Sequence, residues 1–317
     1  GYTVFLMSWV NPDASLRDKG FDDYMFDGIL TALDAVEQAT GEKDVTAIGY
    51  CIGGTLLAAT LAYMAAHKDD RVKAATFLAA QVDFSESGEL RIFTDEAQLK
   101  TVEEEVAKHG YLDGKQMAWT FNMLRANDLI WSFVVNNYLM GKDPAAFDLL
   151  FWNADSTRFP GRLLLDYLRN MYQKNLLVEP GGIEILDTPI DLGLIETPSF
   201  FQATREDHIA PYRSVYKSVN LFAGEKRFAL AGSGHIAGIV NPPAKQKYQY
   251  WTNAKRKSYA DGDAWLADAT EHPGSWWPYW HEWNSKKSGP KIAARQPGDG
   301  ALKIIEAAPG SYVKVKS

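Results

Sequence analysis

The run Gly49-Tyr50-Cys51-Ile52-Gly53-Gly54 lies between an apolar stretch, Val45-Thr46-Ala47-Ile48, and a helix-forming stretch that begins near Leu56. Strand, sharp turn and helix in such short order make a G-x-S-x-G-like motif into a nucleophile elbow. The central side chain then stands above the strand end and under the helix N-terminus. Here that residue is cysteine. Gly49, Gly53 and Gly54 permit the tight turn and close helix approach that a merely packed cysteine does not require. The competing reading is a small buried hydrophobe, the commoner state of a lone cysteine. A nucleophile needs a base, an acid and shelter from water, and these are what the rest of the chain has to supply.

The surrounding elements alternate. Tyr2-Thr3-Val4-Phe5-Leu6-Met7 reads as a buried strand stopped by Asn11-Pro12-Asp13. Met25, Ile29, Leu33 and Val36 mark a helix closed by Gly41; Leu56, Leu57, Leu61 and Met64 mark another, and Val72 to Ala80 returns as a strand. Strands and helices alternating at this length predict an α/β fold with a mostly parallel sheet covered on both faces.

From about Phe84 to about Leu186 the rhythm breaks into mainly helical and irregular sequence rich in aromatics, including Trp119, Phe121, Trp131, Phe133, Tyr138 and Trp152. A cap over an apolar tunnel uses such mass; so does the core of an ordinary helical subdomain. Alternation resumes with Pro198 to Ala203 as a strand, a helix through Tyr216, and Arg227 to Leu230 as the last strand, closing the core near residue 235. The expected organisation is a core first part over 1–83, a cap insertion over 84–186, and a core second part with a C-terminal extension over 187–317. Further on, Trp276, Trp280 and Trp283 fall on one helical face behind Ser275 as N-cap, a stripe suited to core packing or to a membrane or polymer surface. Tyr312 to Val315 alternates like an edge strand.

The order nucleophile, acid, histidine, characteristic of the α/β-hydrolase fold, calls for a histidine in the loop after the last strand. His235, in Gly232-Ser233-Gly234-His235, stands there. His67 and His109 fall in polar helical sequence, and His272 and His281 lie past the expected sheet. The acid belongs after the penultimate strand, where Asp207 follows Arg205-Glu206; Asp83, at the end of an earlier strand, is the rival position. The backbone N–H of Ile52 is the expected oxyanion donor. A second donor is expected from a loop ahead of Gly1, so the first strands of the sheet and half of the oxyanion hole are expected outside this sequence.

Composition narrows the partners. A net charge of -7 shows no basic footprint and argues against nucleic acid. A single cysteine forms neither an internal disulfide nor a cysteine-based zinc site, which fits a reducing cytoplasm, and no apolar run is long enough to span a bilayer.

With these residues placed, the sequence closely resembles the catalytic domain of class I polyhydroxyalkanoate synthases. The resemblance runs nearly end to end, through the elbow, Phe151-Trp152-Asn153-Ala154-Asp155-Ser156-Thr157-Arg158, Arg205-Glu206-Asp207-His208-Ile209, Ser233-Gly234-His235-Ile236-Ala237-Gly238, Asn241-Pro242-Pro243 and Gly274-Ser275-Trp276-Trp277-Pro278. It implies a Cys51-His235-Asp207 triad, a mobile cap, a homodimer and polyester granules in the cytoplasm with their associated proteins. The implied substrate is a short (R)-3-hydroxyacyl-CoA, such as 3-hydroxybutyryl-CoA, added to a growing polyester chain. Coenzyme A arrives on the substrate, and no further cofactor or metal is expected. His208, Ile236 and Trp152 are the pocket candidates. Asp207 is expected either to orient His235 or to touch the substrate hydroxyl. The alternatives are a Cys-His-Asp hydrolase of the dienelactone hydrolase kind, in which no long cap separates elbow and acid, and an inactive hydrolase-fold binding scaffold.

Overall fold

Val45–Tyr50 forms β1, the first strand of a six-stranded sheet continued by β2 (Val72–Leu78), β3 (Ser199–Thr204), β4 (Lys226–Ala231), β5 (Gln249–Thr252) and β6 (Thr270–Pro273). The computed structural model describes residues 1–118, 130–131, 133–143, 155, 157–255 and 258–315. Spatial order follows sequence order: β1 to β4 run parallel, and β5 and β6 are each antiparallel to the strand before. Parallel neighbours need crossovers. Helix Ile52–Ala66 joins β1 to β2, and helix Tyr212–Leu221 joins β3 to β4.

Burial explains the local choices. Every residue of β3 is buried, so a central strand reads Ser-Phe-Phe-Gln-Ala-Thr without alternation. Phe77 of β2 stacks on Phe201 of β3 at 5.0 Å, and Phe222 meets both edge-on. Helix Ile52–Ala66 is buried without a break from Gly54 to Ala62, as expected of a helix apolar all round.

The chain divides into two compact units. The sheet unit comprises Gly1–Met7, Phe21–Thr94 and Tyr167–Ile304; the other comprises Ser8–Gly20, Asp95–Asp166 and Ile305–Ser317. The edges read from sequence, 84 and 186, lie farther apart than the 95 and 166 found here. Phe84 is fully buried against Tyr167 and Tyr172, which keeps both flanks with the sheet. Within the second unit, Asp95 caps helix Glu96–His109 by accepting from the Gln98 N–H, and Gly110 ends it at φ 83°. Tyr111–Leu112 then pairs with Phe159–Pro160, and the Arg158 guanidinium lies 4.8 Å over the Tyr111 ring. Trp131, Phe133 and Tyr138 are exposed, while Trp119, Phe121, Phe151 and Trp152 lie outside the described residues.

Three expectations change. Tyr2–Met7 pairs with no strand among the described residues, and Val4 and Leu6 are 77% and 87% exposed. Strand propensity expresses packing on a half-buried pleated surface, and this run has no such surface to meet. The sheet continues past residue 235 through β5 and β6, so His272 lies within it. Polar β6 tolerates Pro273 because it is an edge strand. Tyr312–Lys314 is a 3-10 turn rather than a strand, with Glu306 Oε1 accepting from the Ser311 N–H at 2.8 Å. No helix among the described residues is long and apolar enough to cross a membrane.

Candidate active site

The elbow is built by close backbone approach. A Cβ at Gly49 would stand 2.6 Å from the Gly54 Cα, and one at Gly54 would stand 2.3 Å from the Ala80 Cβ, so both positions exclude a side chain. Gly53 faces open space, contrary to the expectation that all three glycines serve the approach. Between them Cys51 adopts φ 53°, ψ −127°, outside the regions open to ordinary residues. Its N–H donates to the Leu78 carbonyl at 2.9 Å, and its carbonyl accepts from Gly54 and Thr55 at 2.9 and 3.3 Å. Ile52 opens the helix, in the first turn, where backbone N–H groups lack intrahelical partners. The thiol is therefore presented at a helix N-terminus by a strained turn.

Asp207 follows β3, and His235 follows β4. His235 Nδ1 lies 2.7 Å from Asp207 Oδ2, with the side chains 10% and 0% exposed. Asp207 Oδ2 also accepts from Thr204 Oγ1 at 3.2 Å, while Oδ1 accepts from the N–H groups of Ile209 and Ala210 at 2.8 and 2.9 Å. Four donors thus hold a carboxylate that has left water, as a buried charge requires. Burial disfavours a charged His235, but the bonds to Asp207 and to the Cys51 side chain outweigh it and raise His235 from 6.5 to about 10. Cys51, His235 and Asp207 therefore meet in the sheet unit. Asp83 is engaged elsewhere: its Oδ1 accepts from Ser85 and from Asn175 Nδ2.

His208 and Ile236 are half-buried in the loops that carry Asp207 and His235, and Trp152 lies outside the described residues. Two indoles brace the histidine loop: Trp276 Nε1 donates to the Gly238 carbonyl and Trp277 Nε1 to the Ile239 carbonyl, each at 2.9 Å. Trp276 and Trp283 are 3% and 1% exposed and pack around Phe200, so for these two the stripe is core and the membrane or polymer reading fails. The helix begins at Trp277 with Trp276 in the capping position, and Ser275 Oγ accepts from the Trp277 N–H at 3.2 Å.

Sequence reasoning missed three tyrosines. Tyr50 stacks on the His235 ring at 5.2 Å and donates its phenol to the His235 carbonyl at 2.8 Å. Tyr167 and Tyr172 are hydrogen-bonded to each other, and Tyr167 also to Thr55 in the first turns of the elbow helix. Thr55 Oγ1 continues to the Gln81 carbonyl at 2.6 Å. Burial first, then neighbouring charge that includes Cys51, pushes all three phenols well above the usual tyrosine range, so they stay protonated. Tyr167 and Tyr172 share the π-helical turn Tyr167–Gln173. An α-helical period puts residues five apart on different faces, which hid the pair; the only visible signal was two tyrosines in one short segment.

Comparison with known proteins assigns the family. A model described as alpha/beta hydrolase fold matches residues 1–242. The chain belongs to the alpha/beta hydrolase fold family. Among curated relatives of this hydrolase-fold chain, the Poly(3-hydroxyalkanoate) polymerase of Methylorubrum extorquens is 54% identical over 100% of the chain and 52% of its own length. The Poly(3-hydroxyalkanoate) polymerase subunit PhaC of Rhizobium etli is 52% identical over 99% of the chain and 49% of its own. That of Cupriavidus necator is 42% identical over 100% of the chain and 54% of its own. The chain spans about half the length of the curated relatives it matches.

Proposed function

We propose that the full-length protein polymerises (R)-3-hydroxyacyl-CoA, with 3-hydroxybutyryl-CoA as the substrate to test. The observation that carries this reading is identity along the whole chain to relatives named as poly(3-hydroxyalkanoate) polymerases, 54% in the first of them. The Cys51-His235-Asp207 geometry supports a matching chemistry. Cys51 sulfur, its proton passed to His235, attacks the thioester carbonyl; the carbon–sulfur bond to coenzyme A breaks, and the thiol of coenzyme A leaves with the proton. The Ile52 N–H stabilises the developing oxyanion. Exchange of one thioester for another is close to energetically neutral, so the acyl group stays activated. A 3-hydroxyl then attacks Cys51 acyl thioester, His235 takes its proton, and an ester forms as the thiolate is released.

Asp207 acts through His235 in this scheme. Its Oδ2 is held by His235 and Thr204, its Oδ1 by two backbone N–H groups, and its side chain is 0% exposed, all of which disfavour direct contact with a substrate hydroxyl. His208, Ile236 and Trp152 are assigned to the substrate pocket. Water competes for the acyl-enzyme, and we assign its exclusion to the aromatic-rich sequence inserted between Cys51 and Asp207. A homodimer in the cytoplasm, at the surface of polyester granules and with their associated proteins, belongs to the same proposal, as does coenzyme A carried in on the substrate without a separate cofactor.

The test supplies 3-hydroxybutyryl-CoA to the full-length protein and to its Cys51→Ala variant and follows released coenzyme A and product. Polymer from the first and neither product from the second is expected. Free hydroxy acid as the main product supports a hydrolase instead.

A further inference from the structure

Tyr50 joins the nucleophile to the base. One peptide bond ties it to Cys51, and the N–H of that peptide is pinned to the Leu78 carbonyl at 2.9 Å. Its ring stacks on the His235 imidazole, centroids 5.2 Å apart with 25° between planes. Its phenol reaches past the ring to the carbonyl of the same residue at 2.8 Å, a contact spanning 185 positions of sequence. One side chain therefore grips both the ring and the backbone of His235.

The grip answers a geometric need. The Asp207 bond fixes His235 at Nδ1 but leaves the ring free to swing about that contact. A face-to-face neighbour removes the swing, and a bond to the backbone carbonyl keeps the loop from carrying the ring away. We propose that Tyr50 is a positioning residue that sets the plane of His235 and its distance from Cys51. This rests on the reading of Cys51 and His235 as nucleophile and base. Phenylalanine preserves the stack and loses the bond; leucine loses both. A misplacement of about 1 Å in a reacting pair costs up to about 100-fold, whereas one ordinary hydrogen bond is worth roughly two- to tenfold.

The experiment measures alkylation of Cys51 by iodoacetamide between about pH 6 and about pH 10 in the full-length protein and in Tyr50→Phe, Tyr50→Leu and His235→Gln, alongside kcat and KM for 3-hydroxybutyryl-CoA. Alkylation and kcat in Tyr50→Leu are expected to fall at least about tenfold, with a displaced pH profile and little change in KM. Tyr50→Phe should recover most of the rate and the wild-type profile. Wild-type rates and profile in both Tyr50 variants, with His235→Gln impaired, overturn the role of Tyr50 alone. Unchanged alkylation in His235→Gln overturns the underlying reading of the pair. Where Tyr50→Leu fails to fold, Tyr50→Met, which also lacks the stacking ring and the phenol, takes its place, and a wild-type rate and profile in it overturn the proposal.

Discussion

Cys51 occupies φ 53°, ψ −127°, a conformation that costs a residue with a side chain on the order of 1–3 kcal/mol. The turn is held because Gly49 and Gly54 let strand and helix backbones touch. Gly54→Ala would drive a methyl to 2.3 Å from the Ala80 Cβ. We expect it to destabilise the protein by about 1–3 kcal/mol in urea melts, while Gly53→Ala, which faces open space, changes little. His235 gives a second prediction. Its folded value, about 10, lies above its ordinary 6.5. The stabilisation from its charged form is therefore complete below about pH 6.5 and is lost as pH rises through about 10. His235→Gln should flatten the stability profile across that window, removing a contribution on the order of a few kcal/mol. Urea melts at stepped pH check it, and an identical slope in the variant contradicts it.

Loops after β3 and β4 carry Asp207 and His235, and packing beyond them holds the second loop in place. Trp276 and Trp277 reach back to the carbonyls of Gly238 and Ile239. Trp276→Phe keeps the buried ring but leaves the Gly238 carbonyl without that donor, a loss of about 1–3 kcal/mol. Amide exchange should quicken over residues 236–241 while β2 and β3 keep their protection; uniform quickening would contradict a local brace. Elements at this scale were partly legible. The parallel strands and their crossovers announced themselves through apolar runs alternating at strand and helix length. β6 did not, because Thr270-Glu271-His272-Pro273 is polar and ends in proline, and neither did β5, Gln249–Thr252, which is only four residues long. The tryptophans could be placed on a helix face, but which of them donates to which carbonyl depends on a loop some 38 positions away.

Across the whole molecule, the sheet unit gathers residues 51, 207 and 235 from loops far apart in sequence. Their order along the chain was readable because a fixed fold links order to place. Tyr50, Tyr167 and Tyr172 were not readable, since stacking and phenol contacts leave no period in the sequence. Tyr2–Met7 shows the converse: strong strand propensity without a strand, because a ladder needs a partner as well as a sequence. Central to the proposed function is that Cys51 holds the acyl group as a thioester. Rapid mixing of the full-length protein with 3-hydroxybutyryl-CoA, acid quenching and peptide mass analysis test this directly. A 3-hydroxybutyryl adduct is expected on the peptide containing Cys51, formed as coenzyme A is released and absent from Cys51→Ala. Release of coenzyme A at the same rate in Cys51→Ala would contradict it.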